Sequence, residues 1–469
     1  MPDYACETCN KIFHQKSHLT QHAARKRPCK AAPSVDAVIE HRVQTVLSAA
    51  ASSKTMLTYV DLFAGIGGFR YGLEAYAESH PTYAFRCIKT VDIKKDANAT
   101  YNLNFDEQNP LCDIRTVTNL PHFDILCAGF PCQPFSSAGK KEGFGDERGR
   151  GDLIFEVLRI CKESTPTYII LENVANIETI DEGRTLLRIV NEFTDIGYKI
   201  TVKKINAVDV GLAQDRSRVF IVGNRDRHPV LDVPLPVHAQ SIRDIMDTAS
   251  TTTDIPDAFV NSLMTRSAES LYGMSIKDKR GGEDNLHSWD IDYHGVTTDR
   301  QKVLMNTILK ERRKKKWAAL KGIVWMDGMP LTTDEIKTFL DYPELQHDLD
   351  DLQAKGYLVQ EHPKDVVNGK RQYKEDADKG YNICKGKLSF PISKILHPDG
   401  RSPTLTATDA NKLAVHIGTT IRRLNQKELC RLCGFPETLQ IPPGVDMYDL
   451  FGNMVCPPVV TAILHGILG

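Results

Sequence analysis

The chain has 469 residues, 41% hydrophobic and 25% charged, which is the make-up of an ordinary globular protein with room for two or three domains. No signal peptide opens it and no apolar run is expected to span a bilayer, so secreted and membrane functions are set aside. A net charge of −1 excludes a globally basic nucleic-acid binder. The 12 cysteines have no disulfide-like rhythm and imply a reducing, intracellular setting in which some thiols serve chemistry or metal.

The first thirty or so residues carry Cys6-x2-Cys9, then His22 and Cys29, with Phe13 and Leu19 between them. Two thiolates, an imidazole and a third thiolate suit tetrahedral Zn²⁺. A segment this short needs such a staple to fold. His18, one turn before His22, is the alternative ligand. The spacing resembles the two-Cys, two-His finger family, with a ββα fold. It departs in its last ligand, which is Cys after a longer final turn. If the finger docks as its relatives do, Gln15, His18 and Gln21 would face base edges, and Lys16, Arg25, Lys26, Arg27 and Lys30 would face phosphates. A role in protein contact or in folding alone is the other reading. Residues 31–55 are rich in Ala and Ser, with a short helix expected over Val38–Ala50, and read as a linker.

Met56–Val60 is expected to be a strand. The turn and helix start that follow are Asp61-Leu62-Phe63-Ala64-Gly65-Ile66-Gly67-Gly68-Phe69-Arg70. Gly65, Gly67 and Gly68 permit a tight turn and close approach of a ligand. A second strand, Phe85–Val91, ends on Asp92, where an acid can accept from ribose hydroxyls. Asp113 follows a third hydrophobic stretch at a similar position. The loop lacks both the pyrophosphate fingerprint and a phosphate-loop lysine. An adenosine ligand without phosphates fits best, and S-adenosylmethionine is the obvious one. The fold class expected is α/β and Rossmann-like.

Phe123–Ala128 reads as a buried strand that delivers Gly129-Phe130-Pro131-Cys132-Gln133-Pro134-Phe135-Ser136. A thiol held between prolines at a strand end is a candidate nucleophile; most free cysteines, though, are packing. Further on come Glu172-Asn173-Val174, Gln214-Asp215-Arg216-Ser217-Arg218 and Gly452-Asn453-Met454-Val455. With the glycine loop, these motifs in this order resemble the cytosine-C5 DNA methyltransferases, from about Leu57 to Gly469.

The resemblance implies S-adenosylmethionine as methyl donor and duplex DNA as substrate. Cys132 would add to C6 of a flipped cytosine, and Glu172 would hold N3 and the exocyclic amine. Arg216 and Arg218, at a period of two, would line the base pocket and lower the thiol pKa. Phe63 would pack on the adenine, with Asp92 on the ribose, Ile93 beside it and Asp113 near the adenine amine. Pro131 would fix the nucleophile loop, and Asn453 and Val455 would lie near the methionine end. Ser137–Gly151, with Lys140, Lys141, Arg148 and Arg150, would be a loop that closes over DNA.

Residues 229–420 hold no catalytic motif and correspond by resemblance to target recognition. Lys310–Lys316 is a basic run, readable as a phosphate contact, a charged helix face or an import signal. Met329–Glu361 suggests a small helix-turn-helix with a wing, or an ordinary α/β insertion. Thr404-Leu405 resembles the pair that closes base recognition. In Arg422–Glu428, Asn425 stands where the family usually has Thr.

The expected plan is a finger over 1–30, a linker over 31–55, a catalytic domain over 56–228 completed by 437–469, and a target-recognition domain over 229–436. One chain carries a full site, so a monomer acting in the nucleoid or nucleus is expected. A tRNA-directed methyltransferase and a silent DNA-binding regulator are the other readings. The large recognition region and the intact motifs argue against both.

Overall fold

The computed structural model describes residues 3–25, 29, 54–131, 153–232, 239–278, 284–324, 328–367, 369–384 and 390–469. Cys132 to Ser136 of the nucleophile motif and the charged Ser137–Gly151 segment lie outside the described residues. So do Lys26, Arg27, Lys30 and the Val38–Ala50 stretch.

The N-terminal unit begins with Tyr4–Ala5 paired antiparallel to Ile12–Phe13, followed by the helix Lys16–Ala23. The ring of Phe13 lies 5.0 Å from that of His22. His22 is buried whereas His18 is exposed, so the helix turns His22, and not its neighbour one turn earlier, toward the cysteines.

The larger unit is built on six strands: β1 Thr55–Leu62, β2 Tyr83–Val91, β3 Ile125–Gly129, β4 Tyr168–Val174, β5 Lys199–Asn206 and β6 Ser217–Asn224. Their order is β2-β1-β3-β4-β6-β5. Strands β1, β3 and β4 run parallel, and β6 is antiparallel to both β4 and β5. The central strands are near-continuous apolar runs because both faces are covered; Ile125, Leu126, Cys127 and Ala128 are fully buried, as are Ile169, Ile170 and Leu171. The helix Leu153–Ser164 adds Ile154, Val157 and Leu158 to the same core, and Arg184–Asp195 adds Ile189 and Phe193.

The C-terminal stretch closes this domain. By length and hydropathy alone Met447–Leu468 could cross a membrane, with 22 residues and mean hydropathy 1.5. That corrects the reading that no such run exists. It is broken into the helices Met447–Gly452 and Pro457–Leu468, and 72% of its apolar window is buried. Pro457–Leu468 lies against the helix Gly68–Ser79 at very short range. Thr461 Oγ1 donates to the Gly72 carbonyl at 2.9 Å, and a Cβ on Gly72 would stand 2.5 Å from Val460 Cβ.

Residues 229–436 have two cores. One surrounds Phe259, Ile276, Ile395 and Ile421 beside a five-stranded sheet of short strands. The other holds Trp289, Leu304, Ile308, Trp317, Leu349 and Tyr381. In this second part the helices Asp299–Glu311 and Lys315–Leu320 come first. Leu331 then forms a bridge to Tyr381, and the helices Thr333–Lys337 and Leu345–Ala354 follow. Leu358–Glu361 pairs antiparallel with Gly380–Ile383, and between them the hairpin Lys364–Val367/Lys370–Tyr373 projects. Two short helices followed by a strand pair with a projecting hairpin is the element order expected of a helix-turn-helix with a wing. Thr332 and Glu335 form the capping box that starts its first short helix, as Thr-x-x-Glu predicts. The basic run 310–316 is not one charged face: Arg312 is buried and donates to Asn382 Oδ1 at 2.6 Å, and Lys314 pairs with Glu311.

Arg422 and Glu428 form a buried ion pair at 2.7 Å. Arg422 also donates to the carbonyls of Asp247 and Ser250, so the pair fixes the start of the recognition region to its end. Asn425, in place of the usual Thr, caps the helix Gln426–Cys433 by accepting from the Glu428 N–H at 2.9 Å. Asn is as good at this position as Thr, so the departure carries no structural cost.

The Gly72 contact gives a direct test of the closure. Gly72→Ala forces the two helices apart and should cost about 1–3 kcal/mol, read as a lower urea midpoint with an unchanged far-ultraviolet spectrum. An unshifted midpoint would show that the C-terminal helix does not seal the domain at this point.

Candidate active site

The site is assembled at the carboxyl ends of β1 to β4, where the backbone leaves the sheet and side chains can face a crevice. Phe63 leaves β1 with φ +58°, a left-handed conformation that turns the chain sharply. The loop is then fastened by Ala64 N–H to the Val91 carbonyl at 3.2 Å and by Gly65 N–H to Asp92 Oδ2 at 2.8 Å. The other Asp92 oxygen accepts from Lys94 N–H at 2.7 Å. Asp92, read from the sequence as an acceptor for ribose, thus also ties the glycine loop to β2. Burial raises its pKa, and the N–H groups of Lys94 and Gly65 work against that rise. Each carboxylate oxygen has a second lone pair left for a ligand.

The three glycines differ in purpose. A Cβ on Gly65 would meet nothing closer than 4.0 Å, so that residue faces open space. A Cβ on Gly67 would strike the Phe105 ring at 2.5 Å, and one on Gly68 would stand 2.1 Å from the Val455 carbonyl oxygen. Close approach of a ligand accounts for Gly65 only; Gly67, at φ +90°, makes the tight turn expected of it, and both Gly67 and Gly68 are packed against by protein.

Around this loop the predicted cofactor residues take different positions. Phe63 is half-buried against the core, and Ile93 is 68% exposed beside the half-buried Asp92. Asp113 caps the short turn Ile114–Thr116, accepting from Arg115 N–H at 3.0 Å, and pairs with the Arg115 guanidinium. Asn453 is exposed and donates to the Asp449 carbonyl at 2.9 Å. Asp449 in turn pairs with Lys94, next to Ile93. Val455 is wedged between Gly68 and Gly129, with Cγ2 3.1 Å from a Cβ built on Gly129.

The sequence reading passed over Asp61. Its side chain is fully buried at the end of β1, and neither carboxylate oxygen has a hydrogen-bond partner among the described residues. Burial, with Asp92 adding to it, holds its pKa well above the usual range, while Arg70 works the other way. Asp and Glu are almost never fully buried unpaired. The signal in the sequence was an acid inside an otherwise apolar strand. An orphaned carboxylate behind an open glycine, an exposed isoleucine and an acid with spare lone pairs fit an amino- and hydroxyl-bearing ligand with an apolar ring.

The second half of the site lies one strand over. Register places Gly129 opposite Glu172, and Val174 opposite Arg218. Arg218 Nε lies 3.0 Å from Glu172 Oε1, and both side chains are largely buried. Burial raises the Glu172 pKa, and Arg218 and Arg216 counter it. Asn173 Nδ2 donates to the Phe130 carbonyl at 3.1 Å, fixing the chain just ahead of the half-buried Pro131.

Arg216 does not share the pocket with Arg218. It is buried, with its pKa pulled down to about 10 by desolvation and by Arg218. Its guanidinium donates to the carbonyls of Leu405 at 3.0 Å, Met454 at 2.7 Å and Gly452 at 3.4 Å. The paired-face expectation fails here because Arg216 precedes β6 and turns inward. Gln214 supports it, donating to the Leu432 carbonyl at 3.2 Å and accepting from Leu405 N–H at 3.3 Å. Thr404 Oγ1 donates to the Asp215 carbonyl at 2.5 Å, so the Thr404-Leu405 pair is pinned to the arginine motif. Beside it an open cleft of about 520 Å³ is lined by Asn206 and Asp215 on one side and Lys394, His397, Arg401 and Ser402 on the other.

In the N-terminal unit the ligand atoms of Cys6, Cys9, His22 and Cys29 all lie within 4.8 Å of one another. Cys6 Sγ to Cys29 Sγ is 3.7 Å and Cys9 Sγ to His22 Nε2 is 3.2 Å. These are close to the edges of a tetrahedron with metal–sulfur bonds of about 2.3 Å. The N–H groups of Cys9 and Thr8 hold the Cys6 thiol down to about 6.

The family model of C-5 cytosine-specific DNA methylases matches residues 57–469, leaving residues 1–56 outside it. Among similar proteins is Type II methyltransferase M.NlaIV of Neisseria lactamica, 43% identical over 426 residues, covering 88% of this chain and 99% of that one. M.NgoBV of Neisseria gonorrhoeae is 42% identical with the same coverage. M.BanI of Aneurinibacillus aneurinilyticus is 34% identical over 432 residues, covering 87% of this chain and 95% of the relative.

Asp61 provides the test of the first half of the site. Its folded pKa is raised, so the stability it contributes is full below its unfolded value and is lost as pH rises through the folded one. Asp61→Asn should therefore raise the melting temperature of the ligand-free protein at pH 7–8, with the gain vanishing toward about pH 4, the unfolded value. The same variant should bind S-adenosylmethionine more weakly by calorimetry. A melting difference independent of pH would remove the case for a buried, uncompensated acid.

Proposed function

The chain belongs to the C-5 cytosine-specific DNA methylase family, and on that footing we propose how its own residues carry the reaction. It is a DNA (cytosine-5-)-methyltransferase. Its relatives are named Type II methyltransferases, and the reading that follows is a sequence-specific modification enzyme of a restriction-modification pair. The observation that carries the site assignment is the buried Glu172–Arg218 pair, aligned with Gly129 three residues before Cys132.

S-adenosylmethionine, the cofactor expected of this family, supplies the methyl group. Gly65, Asp92, Ile93 and Phe63 would hold its adenosine, and Asp61 with the start of the helix Gly68–Ser79 its amino-acid end. Cytosine C5 is too electron-poor to attack a methyl donor unaided. Cys132 as thiolate adds to C6 and makes C5 nucleophilic. Glu172 supports that addition by bonding N3 and the exocyclic amine. Its raised pKa favours the proton that N3 must receive as charge builds on the ring. Arg218 orients Glu172 and presents positive charge to the base oxygen. Once the methyl group is on C5, loss of the C5 proton expels Cys132 and restores the ring. Arg216 acts at one remove, as a positioning residue for Arg218.

Duplex DNA would lie along the cleft bounded by Asp215 and Arg401. The base would be swung from the stack toward Glu172, and the chain would act as a monomer. Cys6, Cys9, His22 and Cys29 would bind one structural Zn²⁺ and keep the finger folded.

Methylation sequencing of a mixed-sequence duplex incubated with protein and S-adenosylmethionine should show cytosine-C5 methylation at one short motif. Cys132→Ser should bind both partners and transfer nothing; full transfer by that variant would sink the covalent route, and transfer to tRNA alone would sink the DNA assignment. For the finger, elemental analysis should find one zinc per chain, lost in Cys9→Ser. A full-length protein free of zinc with its finger thiols protected from alkylation would rule the metal out.

A further inference from the structure

We infer that the helix-turn-helix module in the recognition region meets duplex DNA through its hairpin arm, Lys364–Tyr373, and not through the helix Leu345–Ala354. This rests on the assignment of the chain as a DNA methylase. In modules of this order the second helix ordinarily enters the major groove. Here that helix carries Asp348, Asp350 and Asp351 and neither Lys nor Arg. Duplex DNA presents a phosphate charge about every 1.7 Å of its axis, so such a helix is repelled from the groove.

The polar groups of the helix are also taken up inside the module. Asp348 pairs with Arg300 at 2.7 Å and accepts from Tyr342 Oη at 2.9 Å. Asp351 accepts from Gln301 at 2.7 Å, and from Lys355. Asp350 accepts from Tyr381 Oη at 3.0 Å and from Gln346 at 2.8 Å. A side chain already satisfied by its own domain has little left to read a base edge. The acids brace the helix against its neighbours.

The arm has the opposite character. Lys364, Lys370 and Arg371 stand against one acid, Asp365. Register pairs Lys364 with Tyr373 and Val366 with Arg371, so alternation puts these four on one face. Lys364 Nζ sits 4.4 Å from the centre of the Tyr373 ring. The strand Lys370–Tyr373 is exposed at every position, and Val366, Val367 and Tyr373 are 41%, 47% and 51% exposed. Gly369 has φ +75°, a conformation favoured by glycine in tight hairpin turns. A twisted two-stranded ribbon with cations interleaved among apolar and aromatic side chains matches the sugar–phosphate wall of a DNA groove in width and charge. It matches an acid-rich helix of its own module in neither.

The test compares the arm with the helix in the full-length protein. Binding to a mixed-sequence duplex is measured by fluorescence anisotropy across a salt series, for the triple variant Lys364→Ala, Lys370→Ala, Arg371→Ala and for Gln353→Ala with His347→Ala on the helix. The arm variant should flatten the log–log salt dependence by about 2–3, near 0.9 per lost phosphate contact, and weaken binding about tenfold or more. Its melting temperature and S-adenosylmethionine affinity should stay at the parent values. The helix variant should leave slope and methylated motif unchanged. An arm variant with the parental slope, or a helix variant that loses more affinity or relaxes the motif, overturns the inference. Absence of cytosine methylation by the unaltered protein strikes at the enzymatic assignment instead, and the salt slopes still decide which element touches DNA.

Discussion

The Arg216 guanidinium is the constraint on which the site depends. It lies almost fully out of water and gives its protons to carbonyls of Leu405, Gly452 and Met454. A buried cation bonded to neutral carbonyls is costly to desolvate and more costly to leave unbonded. The three segments must therefore arrive together, and they come from distant parts of the chain: the arginine motif ahead of β6, the end of base recognition, and the C-terminal helices. With them in place, Arg218 is presented to Glu172 two residues on, and Val455 is seated between Gly68 and Gly129. The Glu172–Arg218 pair and the glycine loop are thus set by one cluster of hydrogen bonds.

Charge is handled differently in the two halves of the site. In one half Glu172 and Arg218 are buried as a pair, so each tempers the other while the acid keeps a raised pKa. In the other half Asp61 is buried without a hydrogen-bond partner among the described residues, and the glycine loop is tied shut by the other acid, Asp92. An uncompensated carboxylate is a standing cost to the fold, and it sits where a cationic ligand group would relieve it. Stability and ligand affinity then draw on the same residue with opposite sign.

Much of this was legible in the sequence because the chemistry-bearing residues stand at strand ends, where short apolar runs announce them. Glu172 after Tyr168–Leu171 and Gly129 after Phe123–Ala128 are of this kind. So is the Thr332–Glu335 capping box, which is a local signal. The contribution of Arg216 was not legible, since its partners lie 189 and more residues away. Gly67 and Gly68 were read as permitting a tight turn and ligand approach; Gly67 at φ +90° makes the turn, but the neighbours packed against the two glycines are Phe105 and Val455. The basic run 310–316 misled for the same reason, with Arg312 turned into the core. The order of two short helices and a hairpin in Met329–Glu361 could be anticipated from its spacing. That the second of these helices is acidic was in plain view, but the consequence follows only once the arm beside it is seen.

The contact between Gly72 and Thr461 joins residues 389 apart, and that separation has a meaning on the ribosome. At ordinary elongation rates it represents roughly 20–80 s of synthesis. Through that interval the helix Gly68–Ser79 has emerged without its covering partner, while the entire recognition region is being made and can pack its own two cores. The methyl-transfer pocket is therefore the last part of the body to be completed. A chain interrupted in translation would hold the intervening region but lack a finished catalytic domain, so methylation begins only with chains translated through the helix Pro457–Leu468.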